Sequence, residues 1–293
     1  MRVAILGATG FIGRALVPVL ARENEVVAVS RHVDGLRDAR VRAESADVTD
    51  PLSVRRALEG VEVAYYLVHS LGSRNFSDVD HRAASTVARE AERAGVAQIV
   101  YLGGLGDDLP DLSPHLRSRI ETAKALSSQS VPVTTLRAAV VVGQGSAGFE
   151  TIVALVDRLP VMVAPRWVST PTQPIALNDV VRYLAGVAQH PKAIGESFDV
   201  GGPEILTYRQ MIERVARVRG KRRLIVEVPI LSPRLSSYWL HLVTPVRANV
   251  ARPLVEGLRT STIARDDRIR SLVPFPLTSF DDATRTALDT STA

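Results

Sequence analysis

A glycine-rich turn near the start of the chain constrains the fold more than any other feature of the sequence. The apolar run Val3–Leu6 is followed by a glycine at every third position, and a helical pattern comes next. A strand that ends in such a turn and continues as a helix presents free backbone N–H groups at the positive end of the helix dipole. Glycine permits the tight turn, the close approach of a pyrophosphate and close packing of the helix on the strand. The sequence therefore predicts a dinucleotide site formed by Gly7, Ala8, Thr9, Gly10, Phe11, Ile12 and Gly13.

The spacing of these glycines is G-x-x-G-x-x-G, which differs from the G-x-G-x-x-G of standard Rossmann dehydrogenases. Three glycines alone are a weak signal, so the prediction depends on the strand before them and the helix after them. Pro18 lies inside that helix, where it lacks an N–H and crowds the carbonyl of Arg14. We expect a kinked but unbroken helix.

Strands and helices alternate through the first half of the chain. Predicted strands cover Val3–Leu6, Val26–Ser30, Val41–Ala43, Val63–Val68, Ile99–Leu102 and Val133–Val142. Predicted helices cover Phe11–Arg22, Pro51–Leu58, Phe76–Ala94 and Leu116–Ser127. The alternation predicts an α/β protein with a doubly wound parallel sheet, a Rossmann fold, whose ligand site lies beyond the carboxyl ends of the strands.

From about residue 146 the pattern changes, and prolines interrupt the next stretch. Helices are then predicted at Asn178–Gln189, Tyr208–Arg219 and around Pro233–Val243, with a short strand at Ser197–Val200. We predict a Rossmann domain over residues 1–145 and a smaller C-terminal substrate or partner region over residues 146–293. The two are expected to interleave near residues 175–202.

Composition excludes several classes of function. The chain has no cysteine, which rules out disulfides, thiolate metal sites and cysteine nucleophiles, and we predict no metal site. The net charge of +5 comes from scattered arginines, and the basic run Arg219–Arg223 has no interleaved aromatic residue, so nucleic acid is not an expected partner. No apolar run has the length of a signal sequence or a transmembrane segment, which predicts a cytoplasmic protein.

The end of the second predicted strand bears on the choice of dinucleotide. Ser30 and Arg31 stand where an NAD-specific site usually has an acidic residue. A guanidinium suits a 2′-phosphate, which a carboxylate would repel, so NADP(H) is the preferred cofactor and NAD(H) the alternative. Arg14 is placed to assist from the first helix.

Two other strand ends supply further predicted cofactor contacts. Asp47 and Val48 follow the third strand and are expected to flank the adenine, although Asp47 is equally suited to cap the following helix. Leu67, Val68 and His69 end the fourth strand and are expected to line the middle of the cofactor. His69 is a candidate acid or base, with a structural hydrogen bond as the alternative.

These motifs resemble the extended and atypical short-chain dehydrogenase/reductases, and most closely their NmrA-like NAD(P)H-binding branch. The matching segments are Gly7–Gly13, Asp47-Val48, Tyr65–Ser70, Ile99–Gly104, Leu136–Gly143 and Gln173–Val180. The resemblance covers residues 1 to about 202 and is specific over the first 145. It implies a Rossmann domain that holds the dinucleotide and a variable C-terminal region that closes over a substrate pocket. It also implies that Gln173 and Asp179 position the C-terminal region. From its residue type, Asp179 is a candidate helix N-cap, with Asn178 as the alternative.

The resemblance names a catalytic candidate and also departs from the family pattern. Active members use a tyrosine as proton donor, a lysine four residues later, and a serine or threonine that orients the substrate carbonyl. Lys124 matches the lysine and is the candidate catalytic residue, but Ile120 stands at the tyrosine position and Gly103-Gly104 at the serine position. As alternatives, Lys124 contacts a ribose hydroxyl or pairs with Glu121 on the exposed face of its helix.

Three functions are therefore open. The first is an NADPH-dependent oxidoreductase acting on an unknown small carbonyl or quinone-like substrate, with Gly103-Gly104 clearing space over the nicotinamide and Lys124, His115 or water supplying the proton. The second is a non-catalytic NADP(H) redox sensor. The third is a structural or assembly factor, as related accessory subunits of respiratory complex I are. A protein partner or a homodimer is compatible with each.

Overall fold

The structure, a computed structural model, describes residues 1–33, 40–70, 75–106, 112–228 and 260–289. Its strands are β1 (Arg2–Leu6), β2 (Glu25–Ser30), β3 (Val41–Ser45), β4 (Val63–Tyr66), β5 (Gln98–Gly104), β6 (Val133–Ala138), β7 (Val141–Val142), β8 (Val161–Pro165), β9 (Pro171–Thr172), β10 (Ile175–Ala176), β11 (Ser197–Val200), β12 (Leu206–Thr207) and β13 (Leu224–Val228). Its helices are α1 (Phe11–Leu20), α2 (Pro51–Ala57), α3 (Phe76–Ala94), α4 (Pro114–Leu126), α5 (Ala147–Arg158), α6 (Leu177–Gly186), α7 (Tyr208–Val218), α8 (Arg268–Leu272) and α9 (Phe280–Asp289). The helix predicted around Pro233–Val243 lies outside the described residues. Within the described part of the chain, no helix is both long enough and apolar enough to cross a bilayer.

Seven parallel strands form the central sheet, in the order β11-β6-β5-β4-β1-β2-β3. The chain builds outward from β1 through β2 and β3, then returns to β4 on the other side of β1 and builds outward in the opposite direction. The predicted doubly wound α/β fold is confirmed. In such a sheet, the direction of winding switches between β1 and β4, and their carboxyl ends flank the crevice where ligands bind.

Successive residues of β1 alternate between two hydrophobic cores, one on each face of the sheet. Val3 and Ile5 belong to a core that includes residues of α1 and α6. Ala4 and Leu6 belong to a core that includes residues of α2 and α3. Both faces are covered, which explains why the sheet strands are nearly continuous apolar runs in the sequence. A third core, formed largely by α5, α7 and α9, lies in the C-terminal half.

β11 brings a segment of the C-terminal half into the central sheet, where it pairs with β6. The buried Asp199 on β11 accepts a hydrogen bond from Arg137 Nε on β6 at 2.8 Å and another from the backbone N–H of Arg265 at 2.8 Å. A buried carboxylate is stable only with such donors, so this ion pair anchors β11 at the sheet edge. The proposed division of the chain near residue 145 stays a prediction.

The structure differs from the predicted elements after β5. The strand predicted over Val133–Val142 is wrong as a single element, because the chain leaves the main sheet after β6 and β7 pairs with β10 instead. The sequence prediction also missed α5, which begins after the N-cap Ser146 and ends before Pro160. Helix α1 runs unbroken through Pro18, as expected.

Candidate functional site

The glycine turn between β1 and α1 has the geometry of an anion cradle. Gly7 has φ of +95°, a conformation that residues with a side chain rarely adopt, and its N–H donates to Val29 O at 2.9 Å. A Cβ on Gly13 would lie 2.8 Å from both Cα and the carbonyl carbon of Ala8, so the first turn of α1 packs directly on the glycine turn. The N-cap of α1 is Gly10, no side chain caps the helix, and its first turn holds no acidic residue. The start of α1 therefore fits the diphosphate of a dinucleotide.

Ser30 and Arg31 lie beside the glycine turn, at the end of β2. The hydroxyls of Thr9 and Ser30 are hydrogen-bonded at 2.6 Å, which ties the turn to this strand end. Arg31 is exposed, and its carbonyl accepts a hydrogen bond from Ser45 Oγ on β3 at 3.2 Å. The structure thus brings Ser30 and Arg31 beside the turn, while their contacts to a cofactor stay a prediction.

Arg14 is exposed on α1 and lines a cleft of about 700 Å³ beside the glycine turn. The cleft lies between α1, the loop before α5 and the first turn of α6. Thr9 and Phe11 of the glycine turn also line it, so this cleft and the predicted nucleotide site share a wall.

Asp47 and Val48 follow β3 in a tight turn. Asp47 Oδ1 accepts hydrogen bonds from the backbone N–H and the hydroxyl of Thr49, both at 2.8 Å. These two bonds and the nearby charge of Arg31 hold the pKa of Asp47 below its usual range. The alternative that Asp47 caps the next helix is wrong, because Asp50 is the N-cap of α2. The contacts of Asp47 and Val48 with an adenine stay a prediction.

Leu67 and Val68 touch the glycine turn from the neighbouring strand. The N–H of Leu67 donates to Leu6 O at 2.9 Å, which continues the pairing of β4 with β1. A Cβ on Gly7 would lie 2.9 Å from Leu67 O and 3.3 Å from Val68 N. The structure therefore brings the Leu67-Val68 segment and the glycine turn into contact where the sheet changes its winding direction.

His69, two residues after Leu67, belongs to a row of three hydrogen-bonded side chains. We call this row the histidine cluster, and its members are Asp80, His69 and His115. His69 Nδ1 lies 2.7 Å from Asp80 Oδ2, and His69 Nε2 lies 3.1 Å from His115 Nδ1. Asp80 Oδ1 accepts the backbone N–H of Ser70 at 2.9 Å. Asp80 is almost completely buried, whereas the His69 side chain is 18% exposed. The cluster thus joins a buried carboxylate to imidazoles at the edge of the site.

Arg119 supplies a positive charge that acts on both histidines of the histidine cluster. Its guanidinium donates to Leu102 O at the end of β5 and lies 5.0 Å from the centre of the Tyr101 ring. Burial lowers the pKa of His69, although its hydrogen bond to Asp80 opposes that shift. Burial, with the charges of His69 and Arg119, lowers the pKa of His115 to about 3.

Burial alone would raise the pKa of Asp80, but hydrogen bonds from His69 and Ser70 and the charge of His69 outweigh it, so this pKa lies below its usual value. At neutral pH the histidine cluster is therefore a carboxylate with two neutral imidazoles. Within the described residues, no group of histidines and carboxylates is arranged to hold a metal ion.

Asp80 and Arg119 are site residues that the sequence prediction missed. A signal for Asp80 was present, because it shares the buried stripe of α3 with Ala83, Ala84 and Val87 at helical spacing. A carboxylate on an apolar helix face requires a buried donor. Nothing in the sequence identified His69 as that donor, since the donor lies on another element.

Lys124 lies far from these residues. It is exposed in the last turn of α4, whereas His115 lies in the first turn, at the carboxyl end of β5. Nine residues of helix separate them by about 14 Å. Glu121 accepts a hydrogen bond from Ser77 Oγ at 3.3 Å, which leaves its predicted pairing with Lys124 without support. The catalytic assignment of Lys124 stays a prediction that its placement does not favour.

Gly104 makes room for α4, and Gly103 makes room for the Tyr101 ring. A Cβ on Gly104 would lie 3.2 Å from Leu116 Cδ2, and one on Gly103 would lie 3.3 Å from the Tyr101 ring. On the side to which side chains at these positions would point, the space is already filled by neighbouring residues. That side gives no support to the expectation that the pair clears space over a nicotinamide.

Asp179 and Gln173 join distant parts of the C-terminal half. The expectation that Asp179 or Asn178 is a helix N-cap is wrong, because Ala176 is the N-cap of α6. Asp179 instead accepts the N–H and the hydroxyl of Thr278, at 2.8 and 3.0 Å. Gln173 donates to Gly202 O at 2.7 Å.

Comparison with known proteins finds similarity to proteins that bind NAD(P)H. Residues 7–152 match the model of a family described as NAD(P)H-binding. The chain is 26% identical over 235 residues to the ceramide reductase of Caulobacter vibrioides, covering 78% of this chain and 73% of that protein. It is 25% identical over 223 residues to mitochondrial NADH dehydrogenase [ubiquinone] 1 alpha subcomplex subunit 9 of Arabidopsis thaliana, covering 71% of this chain but only 56% of that subunit.

Solved structures share the fold over nearly the whole chain. The NADPH-dependent quinone oxidoreductase of Escherichia coli, complexed with NADPH, superimposes with a TM-score of 0.79 at 20% identity, covering 97% of this chain and 98% of that chain. The triphenylmethane reductase of Citrobacter sp., complexed with NADP(H), gives a TM-score of 0.75 at 20% identity, covering 98% of this chain and all of that chain. The glycine turn, the Rossmann sheet and the match over residues 7–152 agree that the chain contains an NAD(P)H-binding domain.

Proposed function

We propose that the chain is an NADPH-dependent oxidoreductase of the atypical, NmrA-like short-chain type that reduces a small carbonyl or quinone-like substrate. The contact between the glycine turn and the Leu67-Val68 segment carries this proposal. It places the anion cradle at the start of α1 next to the strand end that leads to the histidine cluster. A dinucleotide bound by its diphosphate in the cradle has its nicotinamide half free to extend toward that strand end.

The preference for NADP(H) rests on the end of β2. Arg31 is exposed beside the Thr9–Ser30 hydrogen bond, and a guanidinium is suited to bind a 2′-phosphate. The carboxylate of Asp47 is occupied by Thr49, which reduces its competition for Arg31. Two structures that share the fold are complexed with NADPH or NADP(H), which supports the preference for NADP(H).

Turnover is favoured over a purely structural role by the histidine cluster. Titratable side chains linked at the carboxyl ends of β4 and β5 are unnecessary for holding a nucleotide, whereas reduction of a carbonyl requires a proton donor. The names of the reductases among the similar proteins point the same way. Similarity to a complex I subunit supports an assembly role as the second candidate, and a redox sensor is the third.

The proposed enzyme is cytoplasmic and binds its substrate between residues 1–145 and the C-terminal region. A mitochondrial complex I subunit among its relatives makes location a point to test. Cell fractionation decides it: recovery in the soluble cytoplasmic fraction agrees with the proposal, and recovery with a respiratory membrane complex contradicts it.

NADPH oxidation against a panel of quinones and carbonyls, with parallel binding titrations of NADPH and NADH, tests the proposed activity. We expect turnover with at least one acceptor and tighter binding of NADPH than of NADH. Tight binding without turnover would favour the sensor or the assembly factor, and co-purification of a stable protein complex would favour the latter.

A further inference from the structure

The histidine cluster forms a continuous path from a buried carboxylate to the edge of the proposed site. Asp80 on α3 contacts His69 after β4, and His69 contacts His115 in the first turn of α4, at 2.7 and 3.1 Å. The two imidazole rings lie 5.0 Å apart at an interplanar angle of 33°, and Phe76 packs edge-on against His69. Three separate elements therefore hold the chain of donors and acceptors in place.

The carboxylate determines which nitrogen of each ring carries the proton. Asp80 can only accept while ionised, so Oδ1 takes the N–H of Ser70 and Oδ2 takes the Nδ1–H of His69. A neutral His69 then has its lone pair on Nε2, which accepts the Nδ1–H of His115. The lone pair of His115 is consequently on Nε2, the last atom of the hydrogen-bonded row that starts at Asp80.

One additional proton reverses the direction of donation beyond Asp80. His69 then carries hydrogen on both nitrogens and donates Nε2–H to His115 Nδ1. His115 has given its Nδ1 proton to His69 and carries the additional proton on Nε2, which becomes a donor. The same three side chains thus present either an acceptor or a donor at the same atom, depending on one proton.

Three charged or titratable groups surround the histidine cluster, and none of them is placed to donate a proton in its stead. Arg119 on α4 lowers the pKa of both histidines. The Tyr101 hydroxyl on β5 donates to Arg119 O at 3.1 Å. The Tyr66 hydroxyl on β4 is buried and finds no hydrogen-bond partner among the described residues, and burial raises its pKa far above the working range.

We propose that the histidine cluster is a proton relay, with His115 the catalytic residue at the substrate oxygen and His69 and Asp80 its positioning residues. This inference rests on the proposed oxidoreductase function. Bound NAD(P)H supplies a hydride to the carbon of the substrate C=O. The π electron pair of that bond moves to oxygen, which takes the proton that His115 Nε2 carries when the histidine cluster holds its additional proton.

Proton transfer within the cluster completes the balance. His69 Nε2–H passes its proton to His115 Nδ1, and the carboxylate of Asp80 remains ionised. One C–H bond and one O–H bond form, and the substrate carbonyl becomes an alcohol, or the quinone a hydroquinone. Water restores the lost proton at His115 Nε2 when the product has left. Since the pKa values of both histidines are lowered, we expect the reduction rate to fall as the pH rises.

Two acceptors of different charge separate proton transfer from hydride transfer. A neutral carbonyl or quinone needs a hydride and a proton, whereas a cationic triphenylmethane dye such as malachite green needs only a hydride. We expect His115→Asn to lower kcat for the neutral acceptor by about a hundredfold and to leave dye reduction unchanged. His81→Gln, an exposed histidine of α3 next to Asp80, is the matched control and should change neither rate.

An equal loss with both acceptors, or no loss with either, would overturn the relay. If the wild-type protein reduces no acceptor, the proposed function is overturned instead. The hydrogen-bond directions of the relay are then tested by a measurement on the cofactor-free protein.

Nitrogen-15 NMR of the cofactor-free protein provides that decision. We expect both His69 and His115 to carry their proton on Nδ1 at neutral pH. In Asp80→Asn, the amide oxygen is needed by the N–H of Ser70, so the amide NH₂ faces His69 and should move the proton of both rings to Nε2. Should wild-type His69 carry its proton on Nε2, the relay is wrong whether or not the Asp80→Asn variant folds.

Discussion

The packing of Gly13 against the glycine turn gives a sharp test of the nucleotide cradle. A Cβ at position 13 would overlap the carbonyl oxygen of Gly7 and lie 2.8 Å from two backbone atoms of Ala8, against an optimal carbon–carbon contact of about 3.5 Å, so one backbone must move by at least about 0.7 Å. Such overpacking costs about 1–3 kcal/mol, and the gain from alanine within a helix, about 0.5–1 kcal/mol, does not offset it. We therefore expect Gly13→Ala to lower the melting temperature by about 2–6 °C and to weaken NADPH binding at least tenfold, a loss of about 1.4 kcal/mol.

Two other glycines provide graded controls. Gly10→Ala places its Cβ 3.2 Å from Gly7 O, and we expect a smaller loss of NADPH affinity. Gly148→Ala, in the first turn of α5, meets only Val140 at 3.8 Å and should raise the stability slightly without changing affinity. Differential scanning fluorimetry and calorimetric titration measure both quantities. Wild-type affinity and melting temperature in Gly13→Ala would refute the argument from close packing.

Four further outcomes follow from the structure. Arg31→Asp should weaken NADPH binding about ten- to hundredfold relative to NADH, and equal losses in paired titrations would reject the proposed preference. Lys124→Ala should change kcat less than about twofold because about 14 Å of helix separates it from His115, and a loss above tenfold would restore the family lysine role. Asp179→Ala should lower the free energy of unfolding in urea by about 1–3 kcal/mol by leaving the buried bonds to Thr278 unmade, and no change would contradict that anchoring role. Since the pKa of His115 falls from 6.5 to about 3 on folding, the unfolded chain binds more protons between these values. Wild type should therefore lose up to about 2 kcal/mol of stability from pH 7 to pH 5, and His115→Asn should lose less, whereas parallel losses would contradict the assigned burial.

Local patterns were sufficient to predict the fold around the glycine turn. A strand, a glycine turn and a helix within the first 20 residues are specified by neighbouring residues, and the alternation of strands and helices defines the winding of the sheet. The β2 strand end could be placed beside the turn for the same reason, because parallel strands bring their carboxyl ends to one edge.

The histidine cluster could not be predicted in this way. His69 is separated from Asp80 by 11 positions and from His115 by 46, and their contact depends on how α3 and α4 pack beyond β4 and β5. The family pattern directed attention to Lys124 instead, since a motif position carries no information about the rotation and length of α4 in this chain. The end of the Val133–Val142 run was also unpredictable, because β-branched residues suit both the main sheet and the short pairing of β7 with β10.

Backbone amide NMR during a titration with NADPH tests the central claim most directly. The account predicts that the largest chemical-shift changes occur at Phe11, Ile12 and Gly13, whose N–H groups lie in the first turn of α1. Smaller changes are expected at Ser30, Arg31 and His69. Unchanged resonances in the glycine turn at millimolar NADPH and NADH, in a protein that is otherwise folded, would contradict the account.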